Sequence, residues 1–346
     1  MAAVRVLVCE DSRVYTVALR RMLEYDGDIE VVAVCGTAEE ALAALPRLQP
    51  DLVTMDVELP GMSGLDAVGE IMGSRPVPIL VLSTYADFGN DKAAAALAGG
   101  ALDAIAKDDL DLDDPAGTAG ATFREQVMKL SQARVIRHPR ARLAAVTSAT
   151  GPARRAAAVG VCASTGGPEM LVFLLTALPA DYPVPLLIVQ HMAAGFTEGL
   201  VRWLDRAVAM PVGAAEDGMP AGPGAWIAPH GAHLTLTASG HLAVDRHTAA
   251  GPHRPSGDRL LQSIAEVAGR SGVAVVLSGM GTDGAAGAAA VHRASGLAIV
   301  QDEKSSAVFG MPQAAIDLGV DAVLPPGEIA GRLRGLRSQP LAGARS

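Results

Sequence analysis

Aromatic side chains make up only 3% of this 346-residue chain. A surface that stacks or reads nucleic-acid bases has little to be built from, and no groove-reading module is recognisable. Cysteine is scarce as well. Cys9, Cys35 and Cys162 sit far apart in apolar segments, with neither a pairing pattern nor metal-ligand spacing. Such cysteines point to reduced core thiols in a cytoplasmic protein and away from a disulfide scaffold or a zinc site. Long apolar runs are missing: none approaches the roughly 18 residues that a membrane span needs. The opening VRVLVCED has the pattern of a first core strand and lacks the layout of a signal peptide. The expectation is a soluble protein that neither inserts into membranes nor binds nucleic acid.

What the chain does have is apolar substance. Half of its residues are hydrophobic and 19% are charged, so it is a packed globular protein, long enough for two domains with separate cores. The net charge of -9 is unevenly spread. Residues 1–120 carry 8 Lys and Arg against 21 Asp and Glu, whereas residues 121–158 carry 8 against 1. The basic stretch, rich in Pro, Gly, Ser and Thr after Ile136, has the composition of a solvated linker between two acidic globules. The organisation expected is 1–136, a basic linker over 137–156, and 157–346.

In the first block five short apolar runs, VRVLVCE, VVAVC, DLVTMD, PILVLS and LDAIAK, alternate with helical patterns, the last of them TFREQVMKLSQARVI. That alternation predicts an α/β fold with a doubly wound parallel sheet, whose ligands gather at the carboxyl ends of the strands. The polar residues at those ends are Glu10 and Asp11, Asp56, Ser83 and Lys107. Converging carboxylates repel one another unless a cation lies among them, and oxygen-only ligands suit a hard ion such as Mg²⁺. A hydroxyl and a lysine from later strands could then hold a phosphoryl group placed on a carboxylate. Over about residues 3–136 this pattern resembles a response-regulator receiver domain. CEDS is similar to that family's acidic pair and MDVELPGMSGLD to its phosphoacceptor loop. The resemblance implies phosphorylation of Asp56, a metal held by Glu10, Asp11 and Asp56, and Ser83 and Lys107 as switch residues. Two positions depart from it: Asp108 follows the lysine where proline is usual, and Ala104 stands where an aromatic residue is frequent.

The second block repeats one device three times. AVGVCA ends at Ser164, VPLLIVQ ends at His191, and VAVVLSGMGT leads to Asp283 with a small-residue helix behind it. Parallel strands would carry all three to one edge, as nucleophile, general base and the group that orients the base. The loop GVCASTGGP invites a phosphate-binding reading, but it contains neither G-x-G-x-x-G nor G-x-x-x-x-G-K-[ST], and it lacks G-x-S-x-G. A strand-to-helix turn that presents Ser164 remains; a helix cap is the plainer role for both Ser164 and Asp283.

Six ordered segments, ASTGGP, VQHMAAGFTEGL, AWIAPHGAHLTL, HRPSGDRLLQSIAE, LSGMGTDGAAG and VQDEKSSAVFGMPQAAI, resemble the catalytic domain of chemotaxis protein-glutamate methylesterases, the CheB family. Gly257 and His230 depart from its usual residues. The resemblance implies a second doubly wound α/β domain that hydrolyses glutamyl γ-methyl esters on methyl-accepting chemotaxis receptors and deamidates receptor glutamines, with no cofactor for the ester chemistry. Ser164, His191 and Asp283 would carry the reaction. Backbone N–H groups near Thr165 and, by the resemblance, at Met280 would hold the oxyanion. It further implies a chemotaxis histidine kinase as phosphodonor and a receiver that covers the Ser164 cleft until Asp56 is phosphorylated. The competing expectation is a CheB-like signalling protein that binds partners according to phosphorylation without demethylating receptors.

Overall fold

The computed structural model describes residues 2–84, 92–135, 154–248 and 253–341. The chain divides into two compact units, 1–138 and 139–346.

The first unit has five strands, β1 (Val4–Cys9), β2 (Ile29–Cys35), β3 (Leu52–Asp56), β4 (Ile79–Ser83) and β5 (Asp103–Ala106). They form one sheet in the order β2-β1-β3-β4-β5, with every pair parallel, which is the doubly wound arrangement. Crossovers α1 (Arg13–Leu23), α2 (Ala38–Leu48), α3 (Gly64–Ser74), α4 (Lys92–Ala98) and α5 (Thr118–Ser131) complete it. The central strands β3 and β4 are buried along their whole length, as expected when helices cover both faces. Side chains cap the first three helices: Ser12, Thr37 and Ser63 each accept from the backbone N–H three residues on. Cys9 and Cys35 are register partners on β1 and β2, and both remain free, buried thiols.

The last helix differs from its sequence pattern. It starts at Thr118, not at residue 122, and stops at Ser131, short of Ile136. Its Arg124, one of the basic residues counted toward the linker, is buried and bonds Asp26 at 2.6 Å and the carbonyls of Met22 and Pro115. That charge therefore belongs to the receiver core. At the far end of the basic stretch Arg154–Ala156 is also structured. It forms β6, paired in parallel with the C-terminal strand β16 (Leu336–Ser338). The linker expected over 137–156 thus gives way to a strand at its last three residues, and 137–153 lie outside the described residues.

The second unit is built on β7 (Ala158–Ala163), β8 (Leu186–Gln190), β9 (Val212–Ala214), β10 (Ala225–Ile227), β13 (Gly272–Val276), β14 (Leu297–Gln301) and β15 (Ala322–Leu324). These make a seven-stranded, wholly parallel sheet in the order β15-β14-β13-β7-β8-β10-β9. A hairpin of β11 (His233–Leu236) and β12 (Leu242–Asp245) lies outside it. The helices are α6 (Gly167–Thr176), α7 (Phe196–Ala207), α8 (Gly257–Ala268), α9 (Ala285–Arg293), α10 (Gly310–Leu318) and α11 (Pro326–Arg334). Strand order runs outward from β7 through β8 on one side and from β13 through β14 on the other. The reversal between β7 and β13 opens a crevice at the carboxyl ends of those strands. Among the described residues, no helix is long and apolar enough to cross a membrane.

Gly64, in the predicted phosphoacceptor loop, is a packing requirement of the first fold. A Cβ there would lie 1.9 Å from the Asp56 carbonyl oxygen, and backbone cannot swing aside as a side-chain tip can. Gly64→Ala should destabilise the receiver by about 1–3 kcal/mol, the usual cost of overpacking. Hydrogen exchange of the β3 amides in the full chain reads this unit alone; unchanged protection would show that the loop shifts freely.

Candidate active site

Ser164 and His191 immediately follow β7 and β8. These strands are neighbours, with Ala163 opposite Gln190, and the His191 N–H donates to the Ala163 carbonyl at 2.9 Å. On the other flank of β7, the Ser164 N–H donates to the Ser278 carbonyl at 3.1 Å, in the loop that runs from β13 to Asp283. The sheet therefore brings the three sequence-predicted residues to one edge.

The helices behind them start in an unusual way. N-caps Gly166, Gly195 and Gly284 of α6, α7 and α9 have φ of 73°, 84° and 92°, the left-handed region that glycine occupies without strain. The N-cap glycines have no side chain to cap with, and neither Ser164 nor Asp283 fills the capping role the sequence allowed; at α9 the Asp258 carboxylate, from another helix, accepts from the Gly287 N–H at 2.8 Å. Gly167 is fixed by space instead, because a Cβ would lie 2.2 Å from Gln190 Oε1.

Asp283 is buried, yet its carboxylate is fully engaged. Oδ2 receives His191 Nε2–H at 2.8 Å and the Gly257 N–H at 2.6 Å. Oδ1 receives Ser256 Oγ–H at 2.9 Å and the Asp258 N–H at 3.0 Å. Two of these donors are the first backbone amides of α8, where the helix dipole also favours negative charge. Burial pushes the carboxyl pKa up, but the bonds from His191, Asp258 and Gly257 outweigh it and bring the group from 3.8 to about 2. With Nε2 bound to the carboxylate, Nδ1 is the basic nitrogen of His191. It is buried and has no hydrogen-bond partner among the described residues.

Other residues of this site had drawn no role in the sequence. Gln190, the last residue of β8, donates from Nε2 to the carbonyls of Ser164 and His191, each at 2.9 Å, and so ties the two loops together. Ser278 Oγ donates to the Thr165 carbonyl at 2.8 Å and accepts from the Val308 N–H at 3.0 Å. Gly279 lets the Met280 loop close on Ser164: a Cβ there would lie 2.8 Å from Ser164 Cβ. Thr165 is buried and Met280 half-buried, each next in sequence to one partner of that contact. Gly257 has a packing reason, since a Cβ would lie 2.7 Å from Cys162 Sγ. A polar residue ending an apolar run was the available signal for Gln190; nothing local distinguished Ser278.

The first unit gathers its predicted residues too. Carboxylate oxygens of Glu10, Asp11 and Asp56 all lie within 4.8 Å of one another, with Glu10 and Asp56 buried and Asp11 exposed. Lys107 Nζ, from the residue after β5, bonds Glu10 Oε2 and Asp56 Oδ2 at 2.6 Å each, and it sits 4.7 Å from the centroid of the Tyr15 ring. Ser83 is fully buried at the end of β4, beside Ala106 in register. Burial and mutual repulsion raise the pKa of Glu10 and of Asp56 despite the bonds from Lys107. Burial alone would lower the pKa of Lys107, but the two carboxylates raise it. Crowded carboxylate oxygens, with no nitrogen or sulfur ligand among them, fit a hard divalent cation.

Because the Asp283 carboxyl titrates lower in the folded chain than in the unfolded one, its contribution to stability is complete above the unfolded value and fades as pH falls toward the folded one. Asp283→Asn should cost the catalytic unit about 2 kcal/mol at pH 7. The deficit should shrink as pH drops below 4. Urea unfolding followed through Trp203 and Trp226, both in this unit, measures it; a deficit independent of pH would refute the electrostatic account.

Comparison with known proteins identifies the family of each unit. The CheB methylesterase family pattern matches residues 159–333, and the response regulator receiver domain pattern matches residues 6–113. A protein-glutamate methylesterase/protein-glutamine glutaminase of Myxococcus xanthus is 41% identical over 317 residues, covering 91% of this chain and 88% of the relative. One from Paramagnetospirillum magneticum is 38% identical over 344 residues, 95% of each chain. The crystal structure of the Thermotoga maritima CheB methylesterase catalytic domain matches with a TM-score of 0.50 at 38% identity, over 51% of this chain and 97% of that one. The chain therefore belongs to the CheB methylesterase family of hydrolases and carries a receiver domain ahead of its hydrolase domain.

Proposed function

We propose that this protein hydrolyses γ-methyl esters of glutamyl side chains on chemoreceptors in the cytoplasm, deamidates receptor glutamines at the same site, and is controlled by phosphorylation of Asp56. The observation that carries the hydrolase reading is the His191 imidazole. Its Nε2 is bound to a carboxylate held ionised, and its Nδ1 is buried without a partner beside the strand end that bears Ser164.

In the reaction, Ser164 Oγ attacks the ester carbonyl while His191 Nδ1 takes the hydroxyl proton. Asp283 holds the ring and stabilises the imidazolium. The negative oxygen of the tetrahedral intermediate is bound by the backbone N–H groups of Thr165 and Met280; at comparable sites losing one such donor costs about 10²–10³ in rate. The carbonyl re-forms, the carbon–oxygen bond to methoxide breaks, and His191 Nδ1–H protonates the leaving group to methanol. Water then attacks the acyl-serine, gives its proton to Nδ1, and Ser164 leaves with that proton, freeing the glutamate. A glutamine substrate follows the same path with ammonia as the first product.

At the receiver, Glu10, Asp11 and Asp56 would hold Mg²⁺, which when bound offsets the charge of an incoming phosphoryl group. The phosphodonor is a chemotaxis histidine kinase. Lys107 Nζ is placed to pair with a phosphoryl oxygen once Asp56 is modified, and Ser83 ends the neighbouring strand. Phosphorylation would add negative charge to a site already crowded with it, which makes Lys107 and the end of β4 the elements that must respond.

Methanol released from methyl-labelled receptor membranes tests the chemistry. Ser164→Ala should lower the rate at least about 10⁴-fold; equal release would eliminate the esterase and leave a phosphorylation-dependent binding protein. Acetyl phosphate should raise the wild-type rate and leave Asp56→Asn unchanged. EDTA should block incorporation of the phosphoryl group, and full incorporation in its presence would remove the metal from the scheme.

A further inference from the structure

A second imidazole lies on the proposed general base. The ring of His253 stacks on that of His191, with centroids 4.6 Å apart and planes inclined by 16°. That separation is at the close end of the range for paired aromatic rings. His253 stands just before Ser256, whose hydroxyl bonds Asp283, and Gly257 and Asp258, whose amides do the same. One short segment therefore supplies both the donors to the carboxylate and the surface on which the imidazole rests.

Stacking limits what His253 can do. The N–H bond and lone pair of an imidazole lie in the ring plane, so two parallel rings cannot pass a proton between them. The face, in contrast, is available. His253 is held below the ordinary imidazole pKa by its burial and then by His191, with Asp283 opposing, which favours the neutral ring. In the mechanism above, His191 becomes a cation in both half-reactions. The electron-rich face of a neutral aromatic ring attracts a cation within about 6 Å of its centroid, more so where water is excluded.

We infer that His253 is a positioning residue of the esterase site: its ring keeps the His191 imidazole in the plane that bonds Asp283, and its neutral face stabilises the imidazolium. Rotation of the His191 ring out of that plane would drive it into His253, so stacking and the bond to Asp283 select the same orientation. This inference rests on the esterase reading, and it predicts a loss in turnover with little loss in substrate binding.

The test uses the full-length protein activated with acetyl phosphate, methyl-labelled receptor membranes, and the variants His253→Ala, His253→Leu and His253→Phe. Alanine removes the face, leucine fills the space without an aromatic face, and phenylalanine restores a neutral ring. Alanine and leucine should lower kcat about 3- to 30-fold with KM within about two-fold, and phenylalanine should recover most of the loss. A merely structural role would not separate leucine from phenylalanine. In nitrogen-15 spectra of histidine-labelled protein, the His191 Nε2–H signal should persist in wild type and the phenylalanine variant and broaden in the other two. Wild-type kcat in the leucine variant, or equal impairment in phenylalanine and leucine, would overturn the assignment. If wild type itself releases no methanol the esterase reading fails, and the nitrogen-15 comparison still decides whether His253 holds the ring.

Discussion

The carboxylate of Asp283 is the constraint around which the catalytic unit is arranged. A buried carboxylate is costly unless donors saturate it, and here four of them do. Two are the opening amides of α8, so the start of that helix has one admissible position. Ser256 must cap it there, and residue 257 must lack a Cβ because Cys162 Sγ is in the way. The glycine that departs from the usual family residue is thus matched to its own surroundings, between the Asp283 carboxylate and Cys162. The remaining donor is the histidine, whose orientation is decided by the group it must serve.

Asp56 shows what happens when the same group is buried with fewer donors. It accepts from Lys107 and from the Glu58 N–H at 3.1 Å, with Glu10 and Asp11 close by. Burial then prevails and its pKa rises, where that of Asp283 falls. Both aspartates lie at the carboxyl edges of parallel sheets, Asp56 on the last residue of its strand and Asp283 in a loop beyond one, and the fold alone does not set their chemistry. Saturation with neutral donors makes Asp283 a permanent anion suited to orienting a base. Under-saturation among like charges leaves Asp56 with a raised pKa, a carboxylate whose ionised form a cation among these oxygens would stabilise.

Much of this was legible in the sequence because strand ends are. An apolar run of five or six residues closed by a polar one marks both a buried strand and the functional edge of a parallel sheet, and Glu10, Asp56, Ser83, Lys107, Ser164 and His191 were all found that way. Asp283 was legible only through its glycine-rich loop, since it lies well beyond Val276, the last residue of β13. Gln190 showed only as a polar residue closing an apolar run, and Ser278 and Ser256 did not show at all, for one reason: each acts on a partner 26 or more residues away, or on a loop whose position depends on other loops. The strand at Arg154–Ala156 was hidden by composition. Its basic residues suit a linker, and only pairing with the distant Leu336–Ser338 makes it a strand.

The two units also solve the start of a helix differently, and the difference follows their chemistry. In the receiver, Ser12, Thr37 and Ser63 cap helices with their own oxygens, and the reactive carboxylates sit elsewhere in the loops. In the hydrolase unit the Ser164 hydroxyl and the Asp283 carboxylate cap no helix, and the carboxylate bonds His191. Left-handed glycines open three of this unit's helices instead, α6, α7 and α9, at Gly166, Gly195 and Gly284. Helix α8 opens on a serine cap. Its Ser256 accepts from the Arg259 N–H at 3.4 Å as a cap and still has its proton to give, which goes to Asp283 at 2.9 Å. A hydroxyl can do both at once, whereas a carboxylate cap has no proton to donate. The cap of α8 must therefore be a donor as well as an acceptor, which makes serine or threonine the chemically admissible choice beside a buried anion.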